Sequence, residues 1–145
     1  MRAVVQRVTH GKVSVDGRSI AEIGPGMVIL LGIGPTDDQE KARSLARKIA
    51  LLRIFADAEG KMNRSCVDIG GQAIVVSQFT LYADTQRGNR PSFIDAAPPD
   101  LARPLCDRFA QLLAEAGIST QQGEFGADMQ VQIDNDGPVT ILIEI

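Results

Sequence analysis

The chain has few of the residues on which metal sites and catalytic triads usually depend. It contains one histidine, His10, and two cysteines, Cys66 and Cys106, far apart and without a Cys-X-X-Cys pair. A histidine-based metal site or a Ser-His-Asp triad therefore lacks parts. Two distant cysteines are typical of reduced thiols in a cytosolic protein, and His10 before Gly11 suggests a turn. We expect no metal, no cofactor and a cytoplasmic location.

Long apolar runs and an excess of positive charge are also missing. No hydrophobic stretch reaches the length of a membrane span and no signal peptide opens the chain, so we expect no membrane partner. The net charge of −3 argues against a general nucleic-acid binder. Basic residues still cluster in one segment, with Arg87 and Arg90 in another, and they form either a solvated face or a phosphate-binding strip. The residues of that segment are Lys41, Arg43, Arg47, Lys48 and Arg53.

The composition present is that of a globular protein. Hydrophobic residues make up 44% and charged residues 23% of the 145 residues, which suits one domain with a core of its own. We therefore treat residues 1–145 as a single domain.

Short apolar and β-branched runs predict a mostly β structure. Asp16-Gly17 before Arg18–Ile23 is a strong signal for a two-residue hairpin. The continuous apolar run 27–33 is too short for most helices and is typical of a buried strand. Other strands are predicted at 2–8, 12–15, 54–56, 74–76, 118–125, 129–134 and 139–145, with a turn at 135–138.

Two helices are predicted from capping signals and periodicity. Thr36 followed by Gln39 suggests a capping box before apolar residues at helical spacing from Ala42 to Leu52. A second helix is predicted at about 100–116, where Pro104 suits only the first turn. The predicted fold is α+β, a compact single domain that is mostly β-sheet and barrel-like, with two helices packed on it.

The stretch 74–83, IVVSQFTLYA, contains the main candidate site. Its apolar start predicts a buried strand, yet Ser77 and Gln78 follow where an apolar run could have continued. Buried polar groups are costly unless they have partners. Either these side chains bond neighbouring backbone, or the strand delivers a hydroxyl and an amide to a site.

Two sequence motifs resemble the signatures of the D-aminoacyl-tRNA deacylases. They are SQFTLYA at 77–83 and NDGPVT at 135–140. The opening MRAVVQRV, RPSF at 90–93 and FGADM at 125–129 match the same family. A lone Gly-Pro or Ser-Gln pair carries no information, but both motifs in this order are specific, and the likeness runs the length of the chain.

The resemblance implies a homodimeric hydrolase that cleaves the ester between a D-amino acid and the 3′-terminal adenosine of tRNA. Members of the family also act on glycyl-tRNA. Each active site is completed by a Gly-Pro motif of the other subunit, here Gly137-Pro138 with a cis peptide bond, which rejects L-aminoacyl-tRNA. The expected partners are therefore the aminoacylated tRNA end and a second copy of this chain.

The resemblance also implies roles for the residues of the first motif. Ser77 and Gln78 would shape the pocket beside the scissile ester, with backbone N–H groups there as oxyanion donors. Phe79 would continue the wall. Thr80 matches a threonine that has been considered as a nucleophile, whereas the family view favours water activated with help from the tRNA 2′-hydroxyl.

Three residues outside that motif also match family positions. Phe125 and Met129 resemble residues that line the pocket. Arg7 resembles an arginine that braces the Gly-Pro loop.

The chemistry implied by the resemblance suits this composition. An aminoacyl ester is already reactive, so its hydrolysis needs positioning and oxyanion stabilisation more than a strong base. A rigid backbone can exclude an L side chain whatever its identity, but it excludes glycine weakly. The 2′-hydroxyl separates RNA from DNA, and the acidic composition favours contact mainly with the acceptor end.

Two other classes of function remain open from the sequence. One is a hydrolase that uses Ser77 or Thr80 as a covalent nucleophile, against which the missing histidine partner counts. The other is a non-catalytic nucleic-acid-binding or interaction module on the same fold.

Overall fold

The computed structural model describes the whole chain, residues 1–145. One large sheet and a small two-stranded sheet are accompanied by two α-helices and a short 3₁₀ helix, Phe79–Tyr82. The strands are β1 Arg2–Val15, β2 Arg18–Ile23, β3 Gly26–Gly32, β4 Phe55–Ala56, β5 Met62–Arg64, β6 Gln72–Ser77, β7 Ser119–Gln122 and β8 Gln130–Glu144. The helices are α1 Gln39–Ala50 and α2 Pro99–Glu115.

The large sheet is organised around the long strand β1. The six strands run β2-β1-β3-β6-β7, and β8 pairs with β1 outside this order. β1 pairs antiparallel with β3 through its first half and with β2 through its second half, while β8 follows it along most of its length. β3, β6 and β7 are parallel. This nearly closed sheet with two helices confirms the predicted α+β, barrel-like domain.

The two faces of the central strands bury two separate cores. On β3, Met27, Ile29 and Leu31 belong to the larger core beneath the helices, whereas Val28 and Leu30 belong to or pack against a smaller core. A strand buried on both faces reads as a continuous apolar run, which explains why this strand was predictable. Helices α1 and α2 close the larger core with Leu45, Ile49, Phe109 and Leu113.

The predicted turn at His10 is wrong, because β1 continues through it. His10 pairs with Asp134 of β8, and its Nε2 lies 2.9 Å from Glu22 Oε1. Gly11 allows the strand to pass close to its neighbours, since a Cβ there would lie 2.7 Å from Val28 Cγ2. The glycine therefore serves close packing inside a strand instead of reversing the chain.

The predicted cap of the first helix is also wrong. Asp38 caps α1, and its Oδ1 accepts a 2.9 Å hydrogen bond from Lys41 N–H. Thr36 lies in the preceding turn instead. In α2 the structure places Pro99 at the N-terminus, so Pro104 lies one residue further into the helix than predicted. Neither helix is long and apolar enough to cross a membrane.

The turn predicted at 135–138 is not a reversal of the chain. β8 runs through it as one strand, and both parts pair with β1. Val8 pairs with Asn135 and Gln6 pairs with Thr140, so the four residues 136–139 lie opposite Arg7 alone. Gly137-Pro138 is thus part of a bulge that projects from the sheet.

Candidate active site

Three parallel strands end at one edge of the large sheet and place the candidate residues there. Ile33 follows β3, Ser77 ends β6, and Phe125 lies in the loop after β7. Parallel neighbours present their carboxyl ends together, and crevices at such edges commonly bind ligands. Residues from distant parts of the sequence therefore meet at one point.

A mostly apolar cavity of about 400 Å³ lies at this edge. Four predicted site residues line it: Ser77, Gln78, Phe79 and Phe125. The remaining lining residues come from β3, the loop before α2, α2 itself and the loop after β7: Leu31, Ile33, Phe93, Ala96, Ala97, Pro99, Ala102, Cys106 and Gly126. A cavity of this size suits a small organic ligand or one nucleoside.

The chain turns sharply where β6 ends, so Ser77 and Gln78 lie at the end of a buried strand, as predicted. After Ser77, the N–H of Gln78 donates to the carbonyl oxygen of Leu31 at 2.8 Å, and the 3₁₀ helix begins at Phe79. This helix packs directly on β3, since a Cβ on Gly32 would lie 3.2 Å from the Gln78 carbonyl oxygen. The turn leaves Ser77 and Gln78 half-buried at the rim and Phe79 57% exposed.

Hydrogen bonding at the turn limits which groups can meet a substrate. Gln78 Nε2 donates to Thr80 Oγ1, and Thr80 is exposed and outside the cavity lining. The Gln78 N–H is already used by Leu31. The N–H groups of Phe79 and Thr80 open the 3₁₀ helix and have no acceptor within it. Phe79 lines the cavity and Thr80 follows it, so both N–H groups are candidate donors to an anionic oxygen.

Aromatic side chains form the outer wall of the cavity. Phe79 and Phe93 meet edge to face, with ring centroids 5.0 Å apart and planes at 73°. On the other side the guanidinium of Arg103 lies 4.9 Å from the centre of the Phe125 ring. Phe93 belongs to the RPSF segment noted from the sequence, but the pattern alone does not assign it to the cavity.

The lining offers no ionised nucleophile or base at neutral pH. Its only titratable side chain is Cys106, where burial and, to a lesser degree, Asp107 raise the pKa of the thiol to about 12. A thiol that stays protonated is a poor nucleophile. His10 is outside the lining and is held between Glu22 and Asp134.

Arg7 joins the projecting bulge of β8 to the segment after α1. Its Nη1 donates to the carbonyl oxygen of Ile54 at 2.6 Å, and its Nε donates to that of Asp136 at 3.0 Å. The Gly137–Pro138 bond is cis, as expected, and Gly137 has φ +132°. Both bulge residues are exposed and are absent from the cavity lining of their own chain.

Met129 is the one pocket residue of the expected set that lies elsewhere. It packs against the smaller core, and a Cβ on Gly123 would lie 2.7 Å from its sulfur. Phe125 and Met129 are thus separated, although they are close in sequence, because Phe125 turns toward α2 and Met129 toward the interior of the curved sheet.

The residues of α2 and the preceding loop that line the cavity were not identified from the sequence. Cys106 and Ala102 lie on the buried face of α2, a position that helical spacing with Phe109 indicates. That spacing identifies them as core residues, whereas their contact with the cavity depends on the tertiary structure.

Sequence comparisons identify related proteins. A family model described as D-Tyr-tRNA(Tyr) deacylase matches residues 4–144. A D-aminoacyl-tRNA deacylase of Roseiflexus castenholzii is 61% identical over 99% of this chain and 92% of its own length. One from Carboxydothermus hydrogenoformans is 54% identical over the full length of both proteins.

Solved structures share the fold. One titled as the c-Myc DNA unwinding element binding protein superposes with a TM-score of 0.93 at 42% identity, covering 100% of this chain and 99% of its own. Another, described as a probable eukaryotic D-amino acid tRNA deacylase, has a TM-score of 0.85 at 17% identity, covering 99% and 98%. At that identity the second likeness concerns the fold alone.

These matches place the chain among the hydrolases that act on aminoacyl-tRNA. Within that class the chain belongs to the D-Tyr-tRNA(Tyr) deacylase family, because the model of that family matches nearly the whole chain.

Proposed function

We propose that this protein hydrolyses the ester between a D-amino acid and the 3′-terminal adenosine of tRNA, and that it also accepts glycyl-tRNA. The observation that carries the proposal is a cavity edged by a hydroxyl, an amide and backbone donors but lacking an ionised nucleophile or base. Such a site suits an ester that is already activated and needs chiefly to be held and polarised.

The chemical step is attack by water on the ester carbonyl carbon. The N–H groups of Phe79 and Thr80 stabilise the negative oxygen of the tetrahedral intermediate. The neighbouring 2′-hydroxyl of the tRNA assists proton removal from the water. The bond to the 3′ oxygen then breaks, and that oxygen takes up a proton, so free D-amino acid and tRNA leave.

Gly137 and Pro138 reach the cavity of a second copy of the chain and exclude the L side chain. Three features support this placement: the bulge projects from the sheet, Arg7 holds it from behind, and it takes no part in its own cavity. A rigid backbone distinguishes the position of the substrate side chain and not its chemical identity, so many D-amino acids are accepted. Glycine passes as well because it has no side chain to clash.

The direct test is deacylation of matched D-, L- and glycyl-tRNA charged on the same tRNA. We expect release from the D-aminoacyl and glycyl forms and a much slower rate for the L form. Equal rates for both hands would contradict the chiral mechanism, and unchanged D-aminoacyl-tRNA would contradict the hydrolase itself.

A second candidate is binding of nucleic acid without hydrolysis. It is favoured by the close structural match to a protein whose title names a DNA element as its ligand. The net charge of −3 counts against broad duplex binding. Titration with DNA duplex and with tRNA, alongside the hydrolysis assay, separates the two functions.

A further inference from the structure

The basic residues of α1 do not act as one strip. Lys41 Nζ lies 3.1 Å from Asp37 Oδ1, which also pairs with the Met1 ammonium, and Arg43 pairs with Glu40, so both cations have a carboxylate partner. Arg47, Lys48 and Arg53 are exposed and form no ion pair. The single strip considered from the sequence therefore reduces to these three side chains, which we call the basic trio.

The basic trio surrounds an open groove of about 430 Å³ at the end of α1. The other lining residues are Ser44, Leu51 and Leu52, so no carboxylate lines the groove. Asp68 is near enough for its charge to act on Arg53, and it also interacts with Arg64 and accepts hydrogen bonds from the N–H and hydroxyl of Ser65. One nearby carboxylate against three cations leaves the groove with an excess of positive charge in an otherwise acidic protein.

Helix stabilisation explains only part of this charge. Arg47 and Lys48 lie in the last turn of α1, where cations interact favourably with the helix dipole. Arg53 lies beyond Ala50, the last residue of the helix, and the dipole effect falls off within the last turn. Its convergence with the other two on one groove needs another explanation.

We propose that this groove binds the phosphodiester backbone of the tRNA substrate. Arg53 precedes Ile54, whose carbonyl oxygen accepts the 2.6 Å hydrogen bond from Arg7, and Arg7 also holds Asp136 beside Gly137-Pro138. The groove is therefore tied through Arg7 to the projecting bulge. The inference rests on the proposed function, in which that bulge enters the active site of a second copy, so the groove flanks the RNA that enters that site.

The chemistry of the groove fits this ligand class. Two guanidinium groups and one ammonium offer paired and single donors that phosphate oxygens accept. The exposed aliphatic side chain of Leu51, 62% accessible, lies among them and can contact a sugar or base. A few local contacts of this kind reconcile RNA binding with a net charge of −3.

The test compares two triple variants of the full chain with equal loss of charge. In the first, Arg47→Gln, Lys48→Gln and Arg53→Gln remove the basic trio. In the matched control, Arg18→Gln, Arg43→Gln and Lys61→Gln remove three exposed cations that do not line the groove. Binding of deacylated tRNA is measured across a salt series, with thermal unfolding as the check on folding.

We expect the trio variant to lower the log–log salt slope by about 0.7–0.9 for each lost phosphate contact, so by about 2 to 3, and to weaken binding at least tenfold at about 0.1 M salt. The control variant should change the slope by less than the value expected for one phosphate contact. An unchanged slope in the trio variant, or equal losses in both variants, would overturn the proposal.

A minimal ester separates this proposal from the proposed function. Hydrolysis of 3′-O-(D-aminoacyl)adenosine should be unaffected in the trio variant, because that substrate lacks the phosphates. If the unmodified protein hydrolyses neither substrate, the proposed function fails, while the salt slope with deacylated tRNA still decides whether the groove binds RNA.

Discussion

At the scale of single residues, neighbouring side chains at the rim of the cavity differ in burial and in access to the cavity. Gln78 is half-buried and donates through its amide to the hydroxyl of Thr80, whereas Thr80 is exposed and outside the lining. No histidine, lysine or carboxylate lines the cavity to take a proton from that hydroxyl. The roles of Gln78 and Thr80 can therefore be distinguished by experiment.

We expect Thr80→Ala to keep activity within about tenfold of the unmodified enzyme, because the hydroxyl is not the attacking group. Removal of a covalent nucleophile costs on the order of 10⁶ in kcat, so the two cases differ widely. Single-turnover deacylation of D-aminoacyl-tRNA measures the effect, and Thr80→Ser, which keeps the acceptor for Gln78, is the matched control. A thousandfold loss in a folded protein would support the nucleophile instead.

Gln78→Ala should lower kcat by roughly 10²-fold, the scale seen when one polarising donor is lost, with little change in the unfolding temperature. The side chain donates one hydrogen bond, to Thr80, and lies outside both hydrophobic cores, so its removal disturbs no core packing. Turnover per folded molecule and thermal unfolding are measured on the same sample, with Gln86→Ala in the neighbouring loop as control. Normal turnover with lowered stability would indicate a structural role.

At the scale of elements, the site depends on where strands end and bulge. β3 was predictable because its apolar residues are buried on both faces, and the Asp16-Gly17 hairpin because both residues have positive φ, at +49° and +76°. The continuity of β8 was not, because Asn-Asp-Gly-Pro is typical of a turn and only pairing with β1 makes it a bulge.

The candidate site was predictable only in part for the same reason. Ser77 and Gln78 stand out as polar residues after a buried run, whereas the sharp turn that points them at the cavity depends on contact with Gly32 of another strand. The bulge residues and Phe125 came from the resemblance to a family and not from any local pattern. Met129 shows the limit of that transfer, since within one chain it packs away from the cavity.

The bulge should be sensitive to Arg7. Arg7→Lys keeps the charge but cannot span the carbonyl oxygens of Ile54 and Asp136, so we expect about 1.5–3 kcal/mol loss in the free energy of unfolding, the usual range for a charged hydrogen bond. D-over-L selectivity should fall as well. Urea unfolding and matched deacylation assays measure both, and Lys12→Arg is a charge-conserving control on the same strand. Full stability with full selectivity would show that Arg7 does not brace the bulge.

At the scale of the whole molecule, a buried ion pair joins both chain ends to the turn before α1. The Met1 ammonium lies 2.7 Å from Asp37 Oδ1 and 2.9 Å from the Ile145 carbonyl oxygen. Burial opposes ionisation of Asp37, but hydrogen bonds from the ammonium, Gly34 and Lys41 outweigh it and hold the pKa of that carboxyl below its usual value. The pair therefore stabilises the fold only while Asp37 is charged.

This pair gives stability a defined dependence on pH. Because the pKa of Asp37 is lower in the folded state, its contribution is complete above the unfolded pKa of about 3.9 and is lost as the pH falls toward the folded value. Asp37→Asn should cost about 3–5 kcal/mol at pH 7, since it leaves a buried charge unpaired. Urea unfolding from pH 7 to 3 should show this difference narrowing below about pH 4. A constant difference would contradict the assignment.

Assembly of the active site from two chains can be tested by mixing two inactive variants. Gln78→Ala damages the cavity, and Gly137→Ala damages the bulge, since at φ +132° a Cβ would lie 2.8 Å from Val139 Cγ2. If each site takes its cavity from one chain and its bulge from the other, a mixed dimer has one site with both changes and one with neither. Random mixing in equal amounts after unfolding and refolding then restores about one quarter of the intact sites.

The alternative gives a different result in the same experiment. If cavity and bulge of one chain served the same site, every site in the mixture would carry one damaging change, and activity would stay at the mean of the two variants. Recovery should also carry the original preference for D- over L-aminoacyl-tRNA, because the restored sites contain no substitution. Refolding each variant alone is the control, and failure of the mixture to exceed both would remove Gly137 and Pro138 from the partner's site.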